Sequence, residues 1–265
     1  MSNQLLKLGI PAGSLQKATI ELFDKAGFHI SDSKRNYLPR IDDEQIRLIR
    51  LRAQEMGRYV ADGVIDAGIT GYDWIMENNC DVVDICQLAY SKATSNPAKW
   101  VLAVPSESQV KTAKDLAGGI IATELVNVTK KYFSDQDVNV KVEFSWGATE
   151  VKARLVDAIV ELTETGTSLR ANELRIIDTV ITSTTRFIAN KQAWEDKFKR
   201  EKLENISILL NAAIEARSKV GLKMNTKKGN LESILNILPA EKSPTISSLA
   251  DGDFVAIEVI IDDKI

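Results

Sequence analysis

Apolar positions along this chain fall into two alternating textures, short apolar runs of strand length and stretches with helical spacing. Leu5-Leu-Lys-Leu-Gly-Ile10 predicts a strand and Pro11-Ala-Gly-Ser14 a turn, and Leu15, Ala18, Leu22 and Ala26 predict a helix over 15–26. Further strands are predicted at 46–51, 64–69, 99–105 and 119–123, with helices at 53–62, 70–77 and 112–116; segments 126–135 and 140–144 continue the alternation. This succession predicts an α/β protein with mainly parallel sheets, whose ligands bind beyond the C-terminal ends of the strands. A long charged helix is expected over 195–219. After it, strands at 221–226 and 254–261 around a helix at 231–238 predict an appended module of about fifty residues, below the size that usually folds alone.

The apolar run Leu155-Val-Asp-Ala-Ile-Val160 reads as a buried extended segment that empties into a turn of small residues. The helix formers Leu169-Arg-Ala-Asn-Glu-Leu174 follow. Thr165, Gly166, Thr167 and Ser168 therefore fall at a helix N-terminus, where unpaired amides and the positive end of the helix dipole converge on an anion. Gly166 lets the backbone approach closely, and the hydroxyls add donors. A capped turn with no ligand fits the same string equally well.

The totals narrow the choice. The chain has 265 residues, 44% apolar and 27% charged, enough for one large domain or two. No apolar run approaches the roughly 20 residues a bilayer requires, and the first residues lack a signal peptide's pattern, so no membrane association and a cytoplasmic location are expected. Cys80 and Cys86 are too few for a disulfide framework, and their spacing fits no zinc motif. The single histidine, His29, is expected to be structural. A net charge of −3 argues against nucleic acid as a partner. Any bound phosphate must then be held by local amides, a few basic residues and a divalent cation.

Five strings occur in order along the chain: Gly9-Ile-Pro-Ala-Gly-Ser-Leu-Gln16, residues 62–73 ending in Gly-Ile-Thr-Gly-Tyr-Asp73, Gly147-Ala-Thr-Glu-Val-Lys152, residues 155–172, and Leu238-Pro-Ala-Glu-Lys-Ser-Pro-Thr-Ile246. Together they resemble the long form of the ATP phosphoribosyltransferases that open histidine biosynthesis. The resemblance implies transfer of a phosphoribosyl group from phosphoribosyl pyrophosphate to N1 of ATP, with Mg2+ as cofactor. It implies a two-lobed body like a periplasmic binding protein and a small α+β, ferredoxin-like C-terminal module. In residues, that is lobe I over 1–94 plus 186–215, lobe II over 95–185, and a partial ACT-like regulatory domain over 216–265. Thr165, Gly166, Thr167, Ser168 and Leu169 would cradle the sugar 5-phosphate. Glu150, Glu161 and Arg50 would serve catalysis, and Gly13, Ser14, Arg52, Gly71 and Asp73 the nucleotide, with residues 66–73 forming the facing wall. Asp157, two strand steps from Glu161 and so on the same side, is expected as a supporting acid. The family also implies histidine as inhibitor near Ser243 and Thr245, and a homo-oligomer, either a dimer or a hexamer of dimers.

Three departures stand out: Ala12 occupies a position where the family usually carries Lys, Lys152-Ala-Arg154 follows Glu150, and the chain stops at Lys264-Ile265, short of the family's last helix and strand. Lys17 or another basic residue is expected to compensate for Ala12. The competing reading is a non-catalytic two-lobed solute-binding or effector domain.

Overall fold

Leu6, Leu8 and Ile10 are fully buried on the opening strand β1 (Leu6–Ala12), which leads through a short turn into α1 (Gln16–Lys25). This is a computed structural model, and it describes residues 4–31, 36–90, 97–239, 243–250 and 252–263. The chain divides into two compact units, 1–210 and 211–265.

After α1 come the paired short strands β2 (Ile30–Ser31) and β3 (Arg40–Ile41), then β4 (Ile46–Arg52), α2 (Ala53–Ala61), β5 (Ala67–Gly71), α3 (Tyr72–Glu77) and β6 (Val83–Leu88). A second run follows: β7 (Ala98–Pro105), β8 (Ile120–Thr123), α4 (Val126–Ser134), β9 (Lys141–Phe144), α5 (Thr149–Lys152), β10 (Ala158–Thr163), α6 (Thr167–Ala171) and β11 (Leu174–Ser183). The unit closes with β12 (Thr185–Ala189), α7 (Lys191–Glu195) and the start of α8 (Lys197–Glu215). Two five-stranded sheets result, ordered β4-β1-β5-β12-β6 and β11-β7-β10-β8-β9. They form two lobes. The chain leaves the first between β6 and β7, a stretch that includes 91–96 outside the described residues, and returns at Thr184 between β11 and β12. The expected crossing near residue 95 lies in that undescribed stretch.

The expectation of mainly parallel sheets is corrected to mixed sheets. In each lobe one strand opposes the rest: β12 is antiparallel to β5 and β6, and β7 is antiparallel to β10 and β11. These are the two strands that enter a lobe from the other one. The remaining strands run toward the cleft, so a strand arriving from the cleft must run against them. The βαβ order remains visible in β1 beside β4 and β5, and in β8 beside β9 and β10.

Close packing explains one pair of glycines. Gly9 and Gly68 are register partners on β1 and β5, and a Cβ on either would lie 2.3 or 2.6 Å from the sulfur of Met56. Their absence of side chains lets Met56 of α2, itself fully buried, lie flat on the sheet. In the second lobe β7 is buried on both faces. Trp100, Leu102 and Val104 join one core cluster, and Val101 and Ala103 join another with Ile159 and Leu169.

The second unit is a three-stranded antiparallel sheet ordered β13-β15-β14, made of β13 (Lys219–Lys227), β14 (Thr245–Ser248) and β15 (Phe254–Asp262), with the short helix α9 (Leu231–Leu235). Val255, Ile257, Val259 and Ile261 alternate along β15 and are all buried. The predicted helix over 231–238 is shorter than expected. Residues 245–248, for which the apolar pattern predicts no element, are a strand. Residues 264 and 265 lie outside the described residues.

Candidate active site

Between the lobes lies a cavity of about 420 Å3. The first lobe lines it with Ala12, Gly13 and Ser14 after β1, Arg52 and Gln54 where β4 passes into α2, and Gly71 and Asp73 where β5 passes into α3. The second lobe contributes Trp100, Glu124, Glu161 and Glu164. Each of these first-lobe segments lies at the C-terminal end of a strand, the place where parallel strands leave backbone groups free for ligands.

Glu161, on β10, faces the cavity. Its Oε1 accepts the Leu162 N–H at 2.9 Å. Burial pushes its carboxyl above the ordinary value, the charges of Glu150 and Glu124 push the same way, and the Thr149 hydroxyl and the Leu162 amide pull it back. Glu124, just past β8, is also raised by burial and is eased by a hydrogen bond to Gln54 and by the charges of Arg52 and Lys152. The sequence reading missed Glu124, although its place beyond a predicted strand at 119–123 was a usable signal.

Asp73 lines the cavity as well, but its oxygens are committed. Oδ2 accepts the Trp100 indole N–H at 2.6 Å, and Oδ1 accepts the Ser183 hydroxyl at 2.8 Å and the Trp74 N–H at 3.1 Å. Its carboxyl is raised by burial despite these donors. Of the expected facing wall, only the C-terminal part reaches the cavity. Asp66, before β5, instead accepts the Lys7 N–H and the Lys199 ammonium.

The small-residue turn lies directly after this wall. Gly166 has φ +71°, left-handed, and its N–H donates to the Thr163 hydroxyl at 2.7 Å. The Thr165 and Thr167 hydroxyls are 2.9 Å apart, and the Arg170 guanidinium donates to Thr165 O at 3.1 Å. The amides of Thr167, Ser168 and Leu169 open α6 and have no intrahelical acceptor. Leu169 is buried in the core, so only its backbone can serve a ligand, and that burial pins the turn to the sheet. The Ser168 hydroxyl donates to Glu150 Oε1 at 2.5 Å. Turn, Glu150, Thr149 and Glu161 thus form one connected patch. Arg170, which the sequence reading assigned no role, supplies a positive charge beside it.

Other expected residues are not brought together. Arg50 is buried two residues back from Arg52 and does not line the cavity. Asp157 precedes β10, whereas Glu161 is near its other end, and four residues of strand span about 13 Å. Its Oδ2 accepts the Ile120 N–H at 2.8 Å, which ties the beginnings of β8 and β10. The expectation that it supports Glu161 fails because the strand begins at Ala158, later than the apolar run suggested. Lys17 is exposed on α1, 3.6 Å from Glu21. His29 is exposed and pairs with Asp24 at 2.6 Å. Ser243 and Thr245, in the second unit, are exposed. Among the described residues no three His, Cys, Asp or Glu side chains converge as a metal cage, and no helix is long and apolar enough to cross a membrane.

The sequence model of the ATP phosphoribosyltransferase family matches residues 52–212, and the model of the HisG C-terminal domain matches 216–265. Relatives named ATP phosphoribosyltransferase include one from Chlorobium chlorochromatii, 58% identical over 99% of this chain and 90% of its own length. Another, from Solibacter usitatus, is 56% identical over 98% of this chain and 90% of its own. The solved ATP phosphoribosyl transferase (HisG:HisZ) complex from Thermotoga maritima is 27% identical, covering 80% of this chain and 99% of that one, with a TM-score of 0.68. The periplasmic aliphatic sulphonate binding protein of Escherichia coli, at 15% identity and a TM-score of 0.52 over 80% of this chain and 73% of its own, shares the two-lobed fold alone. With the family model matching more than half of its residues and relatives above half identity along its length, the chain belongs to the ATP phosphoribosyltransferase family.

Proposed function

We propose that this cleft binds phosphoribosyl pyrophosphate on the second lobe and ATP against the first, and joins the sugar C1 to N1 of the adenine while pyrophosphate leaves. The observation that carries this assignment is the connected patch of turn, Glu150 and Glu161, of which Glu161 lines the interlobe cavity and the turn follows directly after Glu164 at its edge. The amides of Thr167, Ser168 and Leu169, with Arg170 beside them, would hold the 5-phosphate. The backbone at Gly13, Ser14 and Gly71, with Arg52, would hold the nucleotide, and Asp73 would shape its wall. Arg50 would act at longer range on the same strand.

N1 of adenine carries its own lone pair, so bond formation needs no strong base. The demanding part is departure of pyrophosphate and the positive charge that grows on the ribose. Glu161, ionised and half-buried, would stabilise that charge from a place with little water to screen it, and Glu150 would add to it. Holding two anionic substrates in line supplies the rest.

Members of this family work with a divalent metal, and we assign Mg2+. The acids here come singly and in pairs, which suits an ion that keeps several waters and is shared with substrate phosphates. Glu150 or Glu161 would hold it through water, and it would neutralise charge on the departing pyrophosphate.

We extend the reading to the cytoplasm as compartment, to a homo-oligomer (dimer or hexamer of dimers), and to histidine as an inhibitor acting near Ser243 and Thr245. Sedimentation velocity showing only monomer would sink the oligomer, and unchanged turnover at millimolar histidine would sink the inhibitor. The reaction is tested by mixing ATP, phosphoribosyl pyrophosphate, Mg2+ and pyrophosphatase with the protein and following the ultraviolet absorbance and mass of the adduct. Adduct is expected. A folded protein that binds both substrates and forms none would restore the solute-binding alternative.

A further inference from the structure

α3 carries two buried acids four residues apart, Asp73 and Glu77, and therefore on one helix face. By chain order α3 belongs to the first lobe, yet it packs on α4 and β11 of the second. Asp73 ties it to Trp100 and Ser183. Glu77 reaches further: Oε1 accepts the Asn127 N–H and Oε2 the Val128 N–H, each at 3.0 Å. In return the Asn127 side-chain amide donates to Glu77 O at 2.9 Å.

Asn127 and Val128 are the second and third residues of α4, whose amides have no acceptor within the helix. The residue at its N-cap, Leu125, makes no side-chain cap hydrogen bond. The carboxylate this helix end calls for comes instead from the other lobe. Both contacts are charge-assisted, lie at the positive end of a helix, and are partly buried, which makes them strong and directional. Glu77 does not line the cavity, so it acts through what it holds. What it holds is the start of α4, two residues beyond Glu124, the cavity acid that hydrogen-bonds Gln54 of the first lobe.

We propose that Glu77 is a positioning residue: by capping α4 from the first lobe it fixes the pivot about which the lobes approach, and so sets where Glu124 meets Gln54 and Arg52. The contact stays made whether the cleft is open or closed, and the motion is confined to the side away from α3.

The test uses Glu77→Gln in the full chain, which keeps one acceptor oxygen and loses the other together with the charge. The expected result is a fall in kcat together with a rise in KM for ATP, amounting to about tenfold to a hundredfold in kcat/KM, as for a hinge displaced from its working geometry. The distribution of distances between labels at positions 17 and 141, one on each lobe, is expected to broaden. The kinetic readout depends on the reaction proposed above, but the distance readout does not, so an inactive parent protein would overturn that reaction and leave this inference to be decided by the labels. Unchanged distances in a folded variant overturn the pivot. If the variant does not fold, hydrogen exchange on the parent decides: the Asn127 and Val128 amides are expected to exchange equally slowly with and without ATP, and fast exchange in either state overturns the proposal.

Discussion

The hinge side of the cleft and its second-lobe wall are built from the same side chains put to opposite uses. At the hinge, Asp73 and Glu77 give every carboxylate oxygen to a donor of the protein, in contacts that cross from one lobe to the other. On the wall, Glu124 and Glu161 face the cavity: Glu124 accepts from Gln54, and Glu161 from its neighbour Leu162 and from Thr149, both of its own lobe. Burial raises Asp73, Glu124 and Glu161 alike. A raised carboxyl therefore does not separate a working acid from a structural one in this cleft. The origin of the donors does: Asp73 and Glu77 accept on both oxygens from the other lobe and hold shape, whereas Glu161 accepts from its own lobe and faces the cavity, where a substrate can reach it.

The sharpest break of that comparison is Glu161→Gln. Removing the charge from a wall acid is expected to lower kcat about 10²-fold, the size of losing one preorganised electrostatic partner of a transition state. Unfolding temperature is expected to hold or rise. The sign follows from the raised carboxyl: whatever its titration adds to stability is full below the ordinary value of 4.5 and is lost as pH rises through the higher folded value, so at neutral pH its burial is a cost. Activity runs the other way. The ionised form works, so kcat falls as pH falls through the raised value, and the variant loses that acid limb. A parent profile with no acid limb above the ordinary glutamate range, or a variant with parental kcat, would refute the role.

Trp100→Phe attacks the hinge instead. Phe keeps an edge-on ring against Trp74, whose centroid lies 6.0 Å away, but leaves Asp73 Oδ2 without its donor. The expected cost is about 2 kcal/mol, read as a lowered unfolding temperature, with kcat changed far less than by Glu161→Gln. An unchanged unfolding temperature would mean that the hinge acid does not hold shape.

Gly166→Ala comes next in size. Its left-handed φ costs an alanine about 1–2 kcal/mol, and the added Cβ would lie 2.9 Å from the Arg170 guanidinium, a flexible end that can shift. The expected result is a rise of about tenfold in KM for phosphoribosyl pyrophosphate with KM for ATP nearly constant. Equal changes in both would show that the turn serves the cleft in general and not one substrate.

Local signals made much of this legible. The alternation of strand and helix located the α/β body, and the string from Thr165 to Leu169 located a turn whose glycine is left-handed and whose amides open a helix. Contacts between segments distant in sequence were not legible. Nothing near Glu77 indicates that it caps a helix fifty residues later, and nothing near Asp73 points to Trp100 or Ser183. Strand direction was misjudged for a related reason, since an antiparallel strand entering from another lobe has the same apolar run as a parallel one. β11 escaped notice because its apolar residues, Leu174, Ile176, Ile177, Val180 and Ile181, do not alternate with polar ones: two irregularities in its register, between Ile176 and Asp178 and between Thr179 and Ile181, break the period of two.

Asp157 shows how a strand boundary decides a role, and it carries the smallest expected effect. Were β10 to begin with the apolar run at Leu155, Asp157 and Glu161 would share a face of one strand. Leu155 is instead 80% exposed, the strand begins at Ala158, and Asp157 closes the edge where β8 starts by accepting the Ile120 N–H. Asn at this position keeps an acceptor of the same shape and loses only the charge on an exposed bond, a loss of about 1 kcal/mol or less in stability. kcat/KM for Asp157→Asn is expected to stay within about twofold of the parent, which corresponds to less than about 0.5 kcal/mol in the transition state. A tenfold fall in kcat at unchanged unfolding temperature would instead put Asp157 back behind Glu161, and would mean that charge on the far end of β10 is felt across the strand.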